Sequence, residues 1–597
     1  MAEIIKERIS RLRKFMQAHG ISAFIVPSTD PHSGEYVPAH WECRKWISGF
    51  TGSAGTVVVT LDQAGLWTDS RYFLQAGQQL QDSGITLFKE RMPDTPDIAG
   101  WLSEVLPSSS KVGIDGSVNS WEFADYLQKQ LQPYQIEVVA TPDPFAELWE
   151  DRPGIPTETV RILPLSYAGI DAGQKMEQLR SFLCEQHAEG ILISALDEIA
   201  WTLNLRGKDI SYNPVFISYL LITRRSACLY ILPEKLTPEV TEYLNRLQIQ
   251  TRDYREITAD LSQLHATSML LTSSANYAIY RSLAAHCQDI RLVASPVSML
   301  KAVKNPTEIE GFHQAMIRDG AAMVRFIKWL KESVGTGALT ELSIDEQLTE
   351  FRAAQPLFQG LSFETIVGYQ AHGAIVHYAA TPESASPLKP EGLLLLDSGA
   401  QYLDGTTDIT RTFALGPVTM EQKTDYTLVL KGMIALSQAE FPHGTCGTQL
   451  DVLARQFMWK EGINYGHGTG HGVGHFLCVH EGPHQIRMNH IPALLLPGMT
   501  VTNEPGIYRA GAYGIRIENT MMVTESRQTD FGTFYRFEPL TLCPIDTEPI
   551  RTDLLSEDEI HWLNSYHQLV FEKISPLLDS EESEWLRQAT RPIVRNS

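Results

Sequence analysis

The stretch LLLLDSGAQYLDGTTDITRTFAL, residues 393–415, sets a strand-length apolar run directly before Asp397 and returns through a glycine-containing turn to Asp408. The leucine run has the length of a buried strand, and the residues after Asp408 read as its hairpin partner. Paired strands of this kind can hold both carboxylates on one face. Two later segments extend the pattern. In YGHGTGHGVGHF, 465–476, glycine at 466, 468, 470, 472 and 474 argues against a helix and lets the backbone approach a ligand near His471. In GMTVTNEPG, 498–506, Pro505 and Gly506 stop a strand just after Glu504, and Glu518 follows in YGIRIENTMMV.

Taken singly these residues have bland readings. Asp397 could be a loop or cap aspartate, Glu518 a salt-bridge partner, and His377 a packed histidine near a strand. Together, Asp397, Asp408, His471, Glu504 and Glu518 offer four carboxylates and one imidazole. One ion rarely needs four carboxylates, whereas two ions can share some of them as bridges, so the set favours a pair of Mn, Co, Fe or Zn ions. An all-carboxylate calcium site fits the imidazole less well. The glycine-rich setting of His471 also differs from a helical HExxH zinc site, which depends on i, i+4 spacing. His377, His467 and His480 accompany the five.

Working outward, 597 residues are too many for one ordinary core and suggest roughly three or four domain-sized units. Hydrophobic residues at 43% and charged residues at only 20% describe a folded chain, not a disordered one. The formal charge of -22 argues against nucleic acid as a general partner, because phosphate binding needs a cationic footprint. Seven scattered cysteines do not form a disulfide framework and read as reduced thiols. The opening MAEIIKERISRLRKFMQAHG places Ile5, Ile9, Leu12, Phe15 and Met16 at helical spacing with charges throughout, so it reads as an amphipathic helix and not as a secretory segment. No apolar run reaches membrane-spanning length, and a cytoplasmic protein without membrane partners is the simplest expectation.

The order of elements in the first 150 residues suits an α/β domain, closed by the proline-containing segment 141–165. From Met176 a similar opening recurs. A helix leads through Gly190 into ILISAL, as Gly20 leads into ISAFIV, and Trp201 then stands where Trp46 stood, so two copies of one unit are expected. A third region begins near Ala294, where Pro306, Thr307 and Glu310 read as a turn and N-terminal cap for a long amphipathic helix. Helices are expected near 421–440 and 447–461. The tail after 525 keeps Trp562, Leu563, Phe571, Leu577 and Trp585 at helical spacing and reads as a packed cap. The expected divisions are 1–150, 151–297, 298–525 and 526–597.

LLLLDSGAQYLDGTTDITRT, HGTGHGVGHFLCVHEGP, VTNEPGIY and GIRIEN together resemble the pita-bread metallopeptidases, the family that includes methionyl aminopeptidases, prolidases and Xaa-Pro aminopeptidases. HSGEYVPAHWECRKWISGFTGSAG, LWTDSRYFLQA, LDEIAWTLNLRGKDISYNPVFISYLLI and FEPLTLCPID resemble its long, cytosolic, three-domain Xaa-Pro aminopeptidase branch. The resemblance implies two creatinase-like α/β domains before a pita-bread catalytic domain. It further implies that Asp397 binds one metal, that His471 and Glu504 bind the other, and that Asp408 and Glu518 bridge them. His377, His467 and His480 become substrate-side histidines, Arg516 orients the Glu518 carboxylate from outside the ligand shell, and Glu504 also moves a proton. The implied reaction releases the N-terminal residue from peptides with proline second, through a metal-bridging hydroxide. Manganese and a homodimer come with the same resemblance. One departure is Asn503, where the family usually has aspartate, which leaves the five ligands intact. Alternatives within the fold are a prolidase acting on Xaa-Pro dipeptides and a non-catalytic peptide-binding module; creatine-type amidinohydrolases usually lack this metal set.

Overall fold

The computed structural model describes residues 2–595, which divide into two compact units. The first runs to Leu163 and resumes over Ile170–Val297; the second takes Pro164–Gly169 and the chain from Ser298 onward.

Two six-stranded sheets build the first unit. One is ordered Thr86–Lys89, Ala64–Thr68, Thr56–Thr60, Ala23–Val26, Lys111–Asp115, Glu137–Thr141. The other is ordered Ile249–Arg252, Ala227–Ile231, Ser218–Thr223, Gly190–Ile193, Ala266–Thr272, Cys287–Val293. In both, the second, third and fourth strands are antiparallel neighbours and every outer pairing is parallel. The similarity visible around Gly20 and Gly190 thus extends to complete strand order and sense. Each copy opens with a helix covering its sheet. Ala2–Ala18 buries Ile5, Ile9, Leu12, Phe15 and Met16, the stripe its spacing predicts, and Ala172–Glu185 buries Met176, Leu179 and Leu183.

The second unit begins its main body with the helix Pro306–Ser333. Its cap lies two residues earlier than the spacing of Thr307 and Glu310 predicts. Asn305 accepts from the Thr307 and Glu308 amides while Glu308 reaches back to the Asn305 amide, and Glu310 instead pairs with Gln314. Proline at the first helical position has no N–H to offer, so the capping box closes around it from Asn305. Helix Met420–Ser437 begins one residue before the expected 421–440, and Asp451–Lys460 falls within 447–461 after a 3-10 turn at Gly447–Gln449.

Short antiparallel sheets carry the candidate ligands. Leu393–Ser398 lies between Ile366–Tyr369 and Ile409–Ala414, and Thr500–Asn503 pairs with Asn519–Thr529 at the edge of a four-stranded sheet. Behind them, Ile515 and Ile517 share one apolar cluster with Met433 and Ile434 and with Leu563, Val570 and Ile574 of the tail helix Glu557–Ile574. Each such buried aliphatic side chain contributes about 1.5–3 kcal/mol, so the tail is part of the catalytic unit's core. All seven cysteines are free thiols. Among the described residues no helix is long and apolar enough to cross a membrane.

Candidate metal centre

Strand register explains how residues far apart in sequence meet. Asp397 pairs across the sheet with Thr410, and Asp408 stands two residues before Thr410, so the alternation of side chains puts all three on one face. Asn503 pairs with Asn519 in the other sheet, which places Glu504 and Glu518 just beyond the same end of that ladder. The Glu518 amide donates to the Thr410 carbonyl and ties the two sheets together. His471 comes from the Gly470–Gly472 strand, and the Glu504 amide donates to Thr469 beside it. Glycine at 470 is required by close approach, since a Cβ there would lie 1.9 Å from the Thr502 carbonyl oxygen.

Ligand atoms of Asp408, His471 and Glu518 all fall within 4.8 Å of one another. The His471 Nε2 is 3.4 Å from Asp408 Oδ2 and 3.6 Å from Glu504 Oε1. Its Nδ1 faces the Gly472 carbonyl at 2.8 Å, so the proton belongs on Nδ1 and Nε2 presents a lone pair to the cluster. Thr410 Oγ1 donates to Glu518 Oε2 at 2.7 Å.

Arg516 makes its direct carboxylate contact with Asp397. Its guanidinium donates to Asp397 Oδ2 at 2.6 Å and to Tyr508 Oη at 2.7 Å, and its Nε to Thr410 Oγ1 at 3.2 Å. It bonds Asp397 directly and reaches Glu518 by hydrogen bonds through Thr410 and by its charge. Arg516 ends the strand Tyr513–Arg516 and Glu518 lies in the gap before Asn519, so spacing along the chain does not set which carboxylate the guanidinium meets. Tyr508 in turn bonds His467 Nε2 at 2.7 Å, and His467 Nδ1 lies 4.0 Å from Glu504 Oε2. The His480 ring stands edge-on to His471 with centroids 4.3 Å apart. His377 lies on the loop between Ile366–Tyr369 and Leu393–Ser398. Asn503 is fully buried, and its amide donates to the Met433 carbonyl and Ser437 Oγ of a helix. An aspartate could not make those donations.

The electrostatics call for a cation. Burial, then repulsion from Glu518, Asp397 and Glu504, holds the Asp408 carboxyl far above its ordinary range, against the pull of Arg516. Burial and Asp397 push Glu518 up to about 8. Asp397 Oδ1 is buried with no hydrogen-bond partner. An orphaned carboxylate oxygen, two carboxyls that resist ionising and an imidazole lone pair facing them fit divalent metal, which supplies the charge these groups lack.

Family models match along the chain: "Creatinase/Prolidase N-terminal domain" over 8–148 and again over 151–308, "Metallopeptidase family M24" over 310–525, and "C-terminal region of peptidase_M24" over 533–593. Aminopeptidase P1 of Arabidopsis thaliana is 38% identical, over 99% of this chain and 99% of its own. The chain belongs to metallopeptidase family M24. Its architecture is that of two creatinase-like N-terminal domains followed by a pita-bread domain, as the motifs implied. Among other M24 relatives, a probable Xaa-Pro aminopeptidase P of Laccaria bicolor is 42% identical over 98% of this chain and 93% of its own. The crystal structure of X-prolyl aminopeptidase from Caenorhabditis elegans, described as a cytosolic enzyme with a di-nuclear active site, superposes with a TM-score of 0.94. It is 34% identical and covers 99% of this chain and 100% of that one.

The sequence reading missed Thr410 and Tyr508. Each sits in a quoted motif, yet only the strand register shows what its hydroxyl touches.

Proposed function

We propose that this M24 enzyme is an Xaa-Pro aminopeptidase, releasing the N-terminal residue from peptides with proline second. The observation that carries the reading is the convergence of Asp408, His471 and Glu518 with Glu504 and Asp397 at one end of two paired sheets. In the proposed arrangement Asp397 serves one ion, His471 and Glu504 the other, and Asp408 and Glu518 serve both. A divalent pair held there supplies Lewis acidity, acidifying water and polarising a peptide carbonyl.

The side chains do the rest. Glu504, half-buried and in reach of His467, takes the proton of the attacking water and passes it to the prolyl nitrogen. That nitrogen has no N–H and leaves poorly unless protonated. His480, exposed beside His471, and His377 donate to the developing oxyanion and hold the substrate backbone. His467, braced by Tyr508 and the Gly468 carbonyl, is the third substrate-side histidine.

Manganese as the working ion, a homodimer and a cytoplasmic location follow the resemblance; for location, the nematode relative is itself described as cytosolic. The division at 1–150, 151–297, 298–525 and 526–597 belongs to the same reading and is supported by the two repeated sheets and the four model spans. The deciding experiment is turnover of Arg-Pro-Pro, Arg-Pro and Arg-Ala-Ala by manganese-loaded protein, with products identified by mass and a metal-stripped sample alongside. Arginine released selectively from Arg-Pro-Pro is the expected result. Cleavage of Arg-Pro alone would make the enzyme a prolidase, and metal binding without any cleavage would leave a peptide-binding module.

A further inference from the structure

The loop joining Ile366–Tyr369 to the strand of Asp397 carries His377, and one buried carboxylate gathers donors from both sides of it. Glu341, with no exposed surface, accepts from the Tyr369 amide at 2.8 Å and from His372 Nδ1 at 2.9 and 3.0 Å. It also accepts from Tyr378 Oη at 3.1 Å and from the Ser386 amide at 2.7 Å. Two of these donors precede His377 and two follow it. A short ladder completes the closure: the Glu341 amide donates to Ser386, and the Leu388 amide donates to Leu339.

Glu341 opens the helix Glu341–Ala353, but that helix is already capped by the reciprocal Thr340 and Ser343 pair. Three of the four donors to the Glu341 side chain come from the loop, and the fourth, the Tyr369 amide, is the last residue before it. Directly after His377, Tyr378 shares an apolar cluster with Ile366, Leu395 and Tyr508, and Tyr508 bonds both His467 and Arg516. Fixing a loop of this length costs conformational entropy, and a carboxylate, which only accepts, can offset it by satisfying every donor at once.

We propose that Glu341 is a positioning residue that holds the His377 turn in its working place; the proposal rests on the reading of His377 as a substrate-side group. Glu341→Gln keeps size and places an NH2 against groups that themselves donate. In the metal-free protein, E341Q is expected to speed hydrogen exchange at the Tyr369 and Ser386 amides while leaving circular dichroism unchanged. In manganese-loaded enzyme it is expected to lower kcat/KM on Arg-Pro-Pro by about tenfold to about a hundredfold, the scale of a sub-ångström to ångström misplacement, with metal content intact. In the H377A background E341Q should then add nothing. An equal further loss in that background, or activity falling in step with metal content, overturns the clamp alone. Wild-type turnover by H377A overturns the role given to His377 and the proposal with it. E341A serves as the larger lesion, and Glu341→Asp, which keeps the charge, should recover part of the loss.

Discussion

Asp408 stands among three other carboxylates with Arg516 as the guanidinium facing them, so its removal has opposite effects with and without metal. D408A should cut turnover by roughly 10³-fold or more. Metal content measured by mass spectrometry should fall, while metal-stripped D408A should melt no lower than metal-stripped wild type. Near-normal turnover with full metal content would remove Asp408 from the ligand set. Tyr508→Phe tests the outer bracing: losing the hydroxyl that joins His467 to Arg516 should lower kcat by about tenfold to about a hundredfold with little change in KM, read by steady-state kinetics. The contrast between these residues shows what the sequence makes legible. Asp397, Asp408, His471, Glu504 and Glu518 declare themselves because each stands at a strand end or glycine turn whose local signature can be read. Thr410, Tyr508 and Glu341 do not, because a threonine, tyrosine or glutamate acquires its partner through pairing between segments far apart in the chain. Arg516 shows the same limit: its place two residues before Glu518 does not reveal the direct bond to Asp397.

At the scale of elements, amphipathic spacing placed the opening helix. The tail's apolar residues fall on two helices, Glu557–Ile574 and Ser580–Ala589, with Leu577 exposed on the turn between them. The cap of Pro306–Ser333 is Asn305 because an asparagine two residues before Thr307 closes a better box. The tail helix also carries a pH-sensitive contact. His567 is buried, its Nε2 accepts from the Ile545 amide at 3.1 Å, and burial with Arg411 nearby lowers its pKa to about 4. The folded form stays neutral where the unfolded chain, with a pKa near 6.5, takes up a proton. The contribution is therefore complete above about pH 6.5 and is lost as pH falls toward 4. By pH 5 the loss from His567 is on the order of 2 kcal/mol. His484, also pushed down to about 4 by burial, adds a second term of the same sign. Urea melts at pH 7.5 and 5 should show a smaller pH difference in H567Q than in wild type; an identical difference would place the acid sensitivity elsewhere.

For the molecule as a whole, two compact units with separate cores predict two calorimetric transitions. The five candidate ligands lie wholly within the second unit, so adding manganese to stripped protein should raise the transition of that unit and leave the other in place. A single transition that moves as one would mean the units unfold together. The repeated six-stranded sheets were legible only at their openings, because strand order is a long-range property and the helix-glycine-strand signature is local.

Arg411, fully buried, donates to the backbone carbonyl of Glu518, to those of Cys543 and Pro544, and to the hydroxyl of Tyr566 in the tail helix. The strand that follows Asp408 therefore finds its last partners in almost the final tenth of the chain. Without that stretch, Arg411 behind the strands of the candidate ligands would lose the Cys543 and Pro544 carbonyls and the Tyr566 hydroxyl. The candidate metal centre is thus backed by residues far beyond its own motifs, and a change in the Tyr566 helix reaches it through Arg411.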